Sequence, residues 1–76
     1  MIKFIEERLV ILEISENYPA PSPYSIIKFT LNELGYYWEF TITQEGIYDT
    51  ILKIKFKNEK CYQDFKTYVL PQLAFL

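Results

Sequence analysis

The sequence predicts a small α+β domain with a three-stranded antiparallel sheet and two helices on one face. Ser22 to Gly35 has helical spacing with a capping residue at each end, and an alternating aromatic run follows at once. A glycine-containing turn leads into a second alternating run. Asn58 then opens another stretch of helical spacing. The elements therefore follow the order β-α-β-β-α.

Composition limits the classes of protein that this chain can belong to. Its 76 residues allow one domain, residues 1–76, and half of them are apolar, which is enough for a core. The formal net charge of −2 gives no overall attraction to nucleic acid or to an anionic membrane. No run approaches the roughly 20 apolar residues of a membrane span. The single cysteine cannot form an internal disulfide, so we expect a cytoplasmic protein.

The first predicted strand is Leu9 to Ile14, and it can begin as early as Ile2. The first helix has Ser22 as its N-cap, Pro23 in its first turn and Gly35 just past its end. A helical wheel predicts a buried arc of Tyr24, Ile26, Ile27, Thr30, Leu31 and Leu34. Phe29 falls on the opposite, polar side and is a candidate contact residue.

The second predicted strand covers residues 36–43. Its alternation predicts four inward side chains, Tyr36, Trp38, Phe40 and Ile42. A loop of Gln44, Glu45 and Gly46 would pair Trp38 with Leu52, and Tyr37 with Lys53, in the next strand.

The third predicted strand, residues 47–57, alternates most clearly at its end. Leu52, Ile54 and Phe56 should point inward, and Ile51, Lys53, Lys55 and Lys57 outward. The second helix should bury Cys61, Tyr62, Phe65, Tyr68 and Val69, and Pro71 should end or kink it near Val69–Leu70. Residues 73–76 form an apolar tail.

These elements fit a split β-α-β unit, with the first strand beside the third and the sheet order 1-3-2. The expected fold is a ferredoxin-like arrangement that lacks the fourth strand. It leaves one face of the sheet open and one edge of the first strand free.

The residue types exclude most catalytic and cofactor chemistry. The chain has no histidine, so it has no imidazole base and no histidine-ligated zinc. Gly35 and Gly46 stand alone, so no phosphate-binding loop exists. Cys61 lies on the apolar stripe of its helix, where packing is the expected role. We therefore expect no enzyme activity, no metal and no cofactor.

Binding to a protein or peptide remains, and six residues are candidates for contact: Leu9, Ile11, Phe29, Tyr37, Ile51 and Lys53. The partner can be another protein or a second copy in a homodimer. The outward lysines are also compatible with a nucleic-acid-binding module, but the aromatic motif of such sheets is missing. A solvated strand face explains the lysines more simply.

One segment resembles a known family. Tyr24-Ser25-Ile26-Ile27-Lys28, followed by Leu34-Gly35-Tyr36-Tyr37 and a strand, is similar to the helix-to-strand segment of HxsD-like proteins. These are small accessory proteins encoded beside radical-SAM enzymes that modify ribosomal peptides. Over residues 24–43 the resemblance implies an accessory role in binding a peptide or an enzyme. A phage-encoded inhibitor or an antitoxin-like binder of a bacterial enzyme is the alternative.

Overall fold

The computed structural model describes residues 2–15 and 17–73. In chain order its regular elements are strand β1 (Ile2–Ile5), strand β2 (Leu9–Glu13), helix α1 (Pro23–Glu33), strand β3 (Phe40–Glu45), strand β4 (Ile51–Phe56) and helix α2 (Glu59–Asp64). A π-helical turn (Phe65–Val69) and a 3-10 turn (Leu70–Leu73) continue from α2. The predicted α+β class is confirmed.

The four strands form one antiparallel sheet in the order β1-β2-β4-β3. The predicted neighbours are confirmed, because β2, β4 and β3 are the first, third and second predicted strands. The count of three strands is wrong, because Ile2–Ile5 forms a strand of its own against β2. The edge of β2 that was expected to be free is therefore paired.

The chain reverses between β1 and β2 through Glu7 and Arg8, which both have left-handed backbone conformation, with φ of 64° and 63°. Such a turn is normally signalled by glycine or asparagine, and neither is present here. Arg8 also anchors the turn, because its Nε donates to the carbonyl of Phe56 at 3.2 Å and its own carbonyl accepts from the Phe56 N–H at 3.1 Å.

Helix α1 begins and ends where its capping residues predict. The Ser22 hydroxyl accepts from the N–H of Ser25, and Pro23 occupies the first turn. At the other end Gly35 has φ +90°, and the N–H groups of Gly35 and Tyr36 donate to the carbonyls of Asn32 and Leu31. This pair of bonds is a Schellman motif, which satisfies the last carbonyls of the helix.

Helix α2 begins at the predicted cap, since Asn58 Oδ1 accepts from the N–H of Cys61 at 2.7 Å. The chain stays helical past Val69–Leu70, where the helix was expected to end or kink, and changes its type there. The backbone widens into a π turn, in which the N–H of Leu70 donates to the carbonyl of Phe65, and then tightens to reach Leu73, which is buried. Within the predicted apolar tail, residues 74–76 lie outside the described residues.

Both helices pack on the same face of the sheet around one core. Its members share exposures below 10%: Val10, Leu12, Ile27, Leu31, Tyr36, Phe40, Leu52, Ile54, Phe56, Cys61, Phe65, Val69 and Leu73. Every second residue of β2 and β4 belongs to it, as the alternation predicts.

Two predicted core residues of the helical layer are exposed. Leu34 is 43% exposed because it is the C-cap of α1, where the chain turns away. Tyr68 is 54% exposed because the π turn has more residues per turn, so Val69 takes the inward position.

The predicted phase of the second strand is also wrong at its start. Trp38 is 82% exposed, and β3 begins only at Phe40. Phe40 pairs with Phe56 and Ile42 with Ile54, so the expected pairing of Trp38 with Leu52 does not form. The connection runs from Gly46 to Thr50 instead of three residues, since Tyr48 and Asp49 both take left-handed conformation. The observed register of β3 against β4 differs from the predicted one by an even number of residues. Residues on the core face of β3 therefore still pair with residues on the core face of β4.

Candidate functional site

The face of the sheet opposite the helices, called the open face here, is organised in three rows across the strands. The first row is Ile5, Leu9, Lys55 and Thr41; the second is Lys3, Ile11, Lys53 and Thr43; the third is Glu13, Ile51 and Glu45. Leu9, Ile11 and Ile51 are partly buried against their neighbours, and Ile5 is 41% exposed. No helix within residues 2–15 and 17–73 packs on this face.

Four of the six predicted contact residues lie together on the open face: Leu9, Ile11, Ile51 and Lys53. The other two lie elsewhere. Tyr37 was expected opposite Lys53, but it precedes β3, in a turn, and is 61% exposed. Phe29 is 67% exposed on α1, beside Ile26 and Gln72 in the helical layer. Sequence reasoning missed Ile5, because β1 was not separated from the strand that follows it.

The charges on the open face are arranged by register. Ile11 lies between Lys3 and Lys53, whereas Ile51 lies between Glu13 and Glu45. Lys53 forms an ion pair with Glu45 at 2.8 Å across β3 and β4. The result is an apolar band with basic neighbours at its middle and acidic neighbours at one end, which is how many protein interfaces combine an apolar centre with a charged rim.

The open face lacks the side chains that nucleic-acid sheets use for stacking. Among the described residues of its three rows, all positions are aliphatic, threonine or charged. Base stacking on aromatic rings supplies much of the affinity of single-strand-binding sheets. The three lysines alone offer only attraction to phosphate groups.

A second exposed surface lies along β3, which is the other edge of the sheet. A groove of about 460 Å³ separates this edge from α1. Its lining residues are Tyr24, Lys28, Asn32, Tyr37, Trp38, Phe40, Thr41 and Ile42. Lys28 Nζ lies 5.6 Å from the centre of the Tyr24 ring. The exposed Trp38 and Tyr37, which were expected on the sheet, therefore stand at one end of this groove.

Tyr36, Lys60 and Asp64 form a hydrogen-bonded cluster that joins the end of α1 to α2. The Tyr36 hydroxyl donates to Asp64 Oδ2 and accepts from Lys60 Nζ at 3.1 Å. The hydrogen bond to Asp64 raises the pKa of Tyr36 above its ordinary 10.0, and Lys60 opposes this effect. The two hydrogen bonds of the Tyr36 hydroxyl tie the chain between α1 and β3 to α2.

Cys61 is fully buried, as predicted. Burial, together with the negative charges of Glu39 and Asp64, raises the pKa of its thiol from 9.0 to about 11. The thiolate is the reactive form of cysteine. Cys61 is therefore protonated and shielded at neutral pH, which suits packing and does not suit nucleophilic chemistry.

The raised pKa of Cys61 predicts a loss of stability in alkaline solution. Below pH 9 the thiol is protonated in both the folded and the unfolded chain, and its contribution is fully present. Between pH 9 and about 11 the unfolded chain releases this proton while the folded chain keeps it, so the free energy of unfolding falls. Tyr36 acts in the same direction above pH 10. Urea titrations from pH 8 to pH 10 should show this fall, and Cys61→Ala should reduce it; an equal fall in that variant would contradict the assignment.

Comparisons with protein-family models, with curated proteins and with solved structures found no match for this chain. In the described part of the chain, no three histidine, cysteine or acidic side chains are grouped as a metal site would require. None of the helices described has the length and apolar character needed to cross a bilayer.

Proposed function

We propose that this protein is a small non-catalytic accessory or adaptor protein that binds a protein or peptide partner on its open face. The observation that carries the proposal is the apolar band of Ile5, Leu9, Ile11 and Ile51 on a face that no described helix covers. Monomeric proteins rarely leave such a contiguous band in water without a use for it.

The connectivity of the strands supports binding on the open face. We propose a ferredoxin-like arrangement in which β1, from the start of the chain, takes the edge position beside β2 that a final strand would otherwise fill. Both helices then lie on one face, and the other face is free along all four strands. The buried reduced thiol of Cys61 accords with a cytoplasmic location.

The partner belongs to one of two classes. The resemblance of residues 24–43 to HxsD-like proteins favours a peptide-modifying enzyme or its peptide substrate. A partner that offers an apolar segment flanked by charges would match the lysines and glutamates around the band.

A charge-reversing pair of substitutions tests the proposal without breaking the sheet. Ile11→Glu places a carboxylate between Lys3 and Lys53, and Ile51→Lys places an ammonium between Glu13 and Glu45. Both changes create favourable cross-strand pairs, so we expect the domain to stay folded. We also expect the double variant to lose its partner, because two charges would have to be buried at the centre of the interface.

The measurement is capture from an extract of the native host by tagged protein, with circular dichroism to verify folding. Phe29→Glu is the matched control, since Phe29 is more exposed than Ile11 but lies in the helical layer. It should retain the partner. Capture that persists in the folded double variant would refute the open face as the binding surface.

A further inference from the structure

The edge of β3 has a regular set of unpaired backbone groups. The N–H of Lys57 donates to the carbonyl of Glu39 at 2.8 Å, which fixes the hydrogen-bonding phase of β3 against β4. Because hydrogen-bonded and non-hydrogen-bonded pairs alternate in antiparallel strands, Thr41, Thr43 and Glu45 bond to β4. The N–H and C=O groups of Phe40, Ile42 and Gln44 therefore point away from the sheet.

Exposed apolar side chains are concentrated at the two ends of this edge. Tyr37 and Trp38 come just before β3 and are 61% and 82% exposed. Ile47 and Tyr48 come just after it and are 77% and 79% exposed. Tyr48 is also held at φ 58°, a left-handed conformation that glycine would take more easily than a bulky side chain.

We propose that β3 pairs with β3 of a second copy of this chain, antiparallel about a two-fold axis at Ile42. Two pairs of identical residues lie symmetrically about that residue, Thr41 with Thr43 and Glu39 with Glu45. An antiparallel pair centred at Ile42 sets each of these residues opposite its match. This register also joins Phe40 and Ile42 to Gln44 and Ile42 of the second copy, and these are the residues with free backbone groups.

The exposed side chains at the two ends of β3 favour a second copy of this chain, and not an unrelated strand, as the partner. In this register the Tyr37–Trp38 end of one copy meets the Gly46–Ile47 end of the other, at both ends of the interface. Trp38 and Gly46 lie just beyond the two ends of β3, so this register brings Trp38 of one copy near Gly46 of the other. An aromatic ring commonly covers a glycine at a sheet edge. The exposed apolar side chains before and after β3 are thus brought together at both ends of the pair, as an isologous interface requires.

Like charges oppose the pairing. Glu39 comes opposite Glu45 of the second copy, although Glu39 already accepts from Asn58 and Glu45 is paired with Lys53. Salt screens such repulsion, so the dimer should be tighter at 0.5 M than at 0.05 M sodium chloride. The ladder spans only five residues, Phe40 to Gln44, so the complex is of the weak, reversible kind.

The dimer goes beyond the binding proposed for the open face and leaves that face uncovered. A two-fold axis at a sheet edge stands roughly perpendicular to the sheet. Both open faces therefore lie on the same side of one continuous eight-stranded sheet, so each dimer would present two adjacent partner surfaces.

Sedimentation velocity over a concentration series up to about 1 mM tests the pairing. Wild-type protein should show a reversible monomer–dimer equilibrium. Trp38→Ser should weaken it at least tenfold, and so should Gln44→Pro, which removes an N–H that faces away from β4. Phe29→Ser, a matched loss of an exposed aromatic on α1, should leave it unchanged. A wild-type protein that stays monomeric throughout, or a dimer indifferent to Trp38→Ser, overturns the proposal.

Disulfide trapping tests the register. Thr41 and Thr43 of opposite copies would form a non-hydrogen-bonded pair, whose Cα atoms lie about 4.5 Å apart, within disulfide range. A mixture of Thr41→Cys and Thr43→Cys proteins should cross-link faster under mild oxidation than either protein alone, in which the thiols lie diagonally. Equal rates in the three samples would reject this register.

Discussion

Phe56→Ala should unfold this domain. Phe56 is 1% exposed at the end of β4, and its ring centre lies 4.9 Å from that of Phe65 and 5.5 Å from that of Tyr62. Removing a buried phenylalanine side chain costs about 3–5 kcal/mol, because apolar burial is lost and a cavity remains. A core of this size rarely supplies more than about 3–5 kcal/mol of net stability. The substitution therefore removes most or all of the free energy of unfolding.

Urea denaturation followed by circular dichroism measures the effect, with Trp38→Ala as the control. Trp38 is larger than Phe56 but 82% exposed, so its removal should change the free energy of unfolding by less than about 0.5 kcal/mol. If Trp38→Ala proved as destabilising as Phe56→Ala, the exposed position of Trp38 would be wrong.

Asn58→Ala should give the second largest loss, about 2 kcal/mol. The side chain has two roles, since Oδ1 accepts from the N–H of Cys61 as the cap of α2 and Nδ2 donates to Glu39. Glu39 in turn accepts from the N–H of Lys57 through its carbonyl, so Asn58 connects the start of α2 to the start of β3. Thermal unfolding of the variant should show the loss as a lower midpoint.

Asn58→Ser separates the two roles. Serine keeps an oxygen that can cap the helix but has no amide to reach Glu39. We expect Asn58→Ser to keep most of the stability that Asn58→Ala loses. A serine variant as unstable as the alanine variant would mean that the contact with Glu39, and not the cap, carries the effect.

The elements that could be predicted are those whose ends and faces depend on local chemistry. Ser22, Pro23 and Gly35 fix the limits of α1 because each satisfies or removes a particular backbone group. Successive residues of a strand point to opposite faces of the sheet, so the alternation in β4 places Leu52, Ile54 and Phe56 in the core.

The errors arose where the backbone took conformations that the residue types do not signal. Tyr48 and Asp49 adopt positive φ beside the single glycine that was expected to turn the chain, so the loop is longer than predicted. Glu7 and Arg8 do the same before β2 and hide the first hairpin. Trp38 continues the alternation of Phe40 and Ile42 in the sequence, but the Schellman motif and the turn after it use residues 35–39 as a connection.

Some residues of the candidate site could be predicted from the sequence and others could not. Leu9, Ile11, Ile51 and Lys53 share a face because of alternation alone, and alternation is visible in the sequence. Tyr37 was placed by the incorrect hairpin register, so the groove beside β3 could not be foreseen. The helical wheel placed Phe29 on the solvent side of α1, where the structure has it. A helical wheel does not show on which side of the sheet the helix itself lies, so it could not separate Phe29 from the open face.

The pairing of β2 with strands on both sides has a consequence during synthesis of the chain. The hairpin of β1 and β2 is complete once residue 13 has been made, but Lys55, the β4 partner of Leu9, comes 42 positions after residue 13. At about 5–20 residues per second the ribosome needs roughly 2–8 s to add these residues. For that interval Val10 and Leu12 have no core to enter, so the nascent chain carries an apolar hairpin of the kind that chaperones bind.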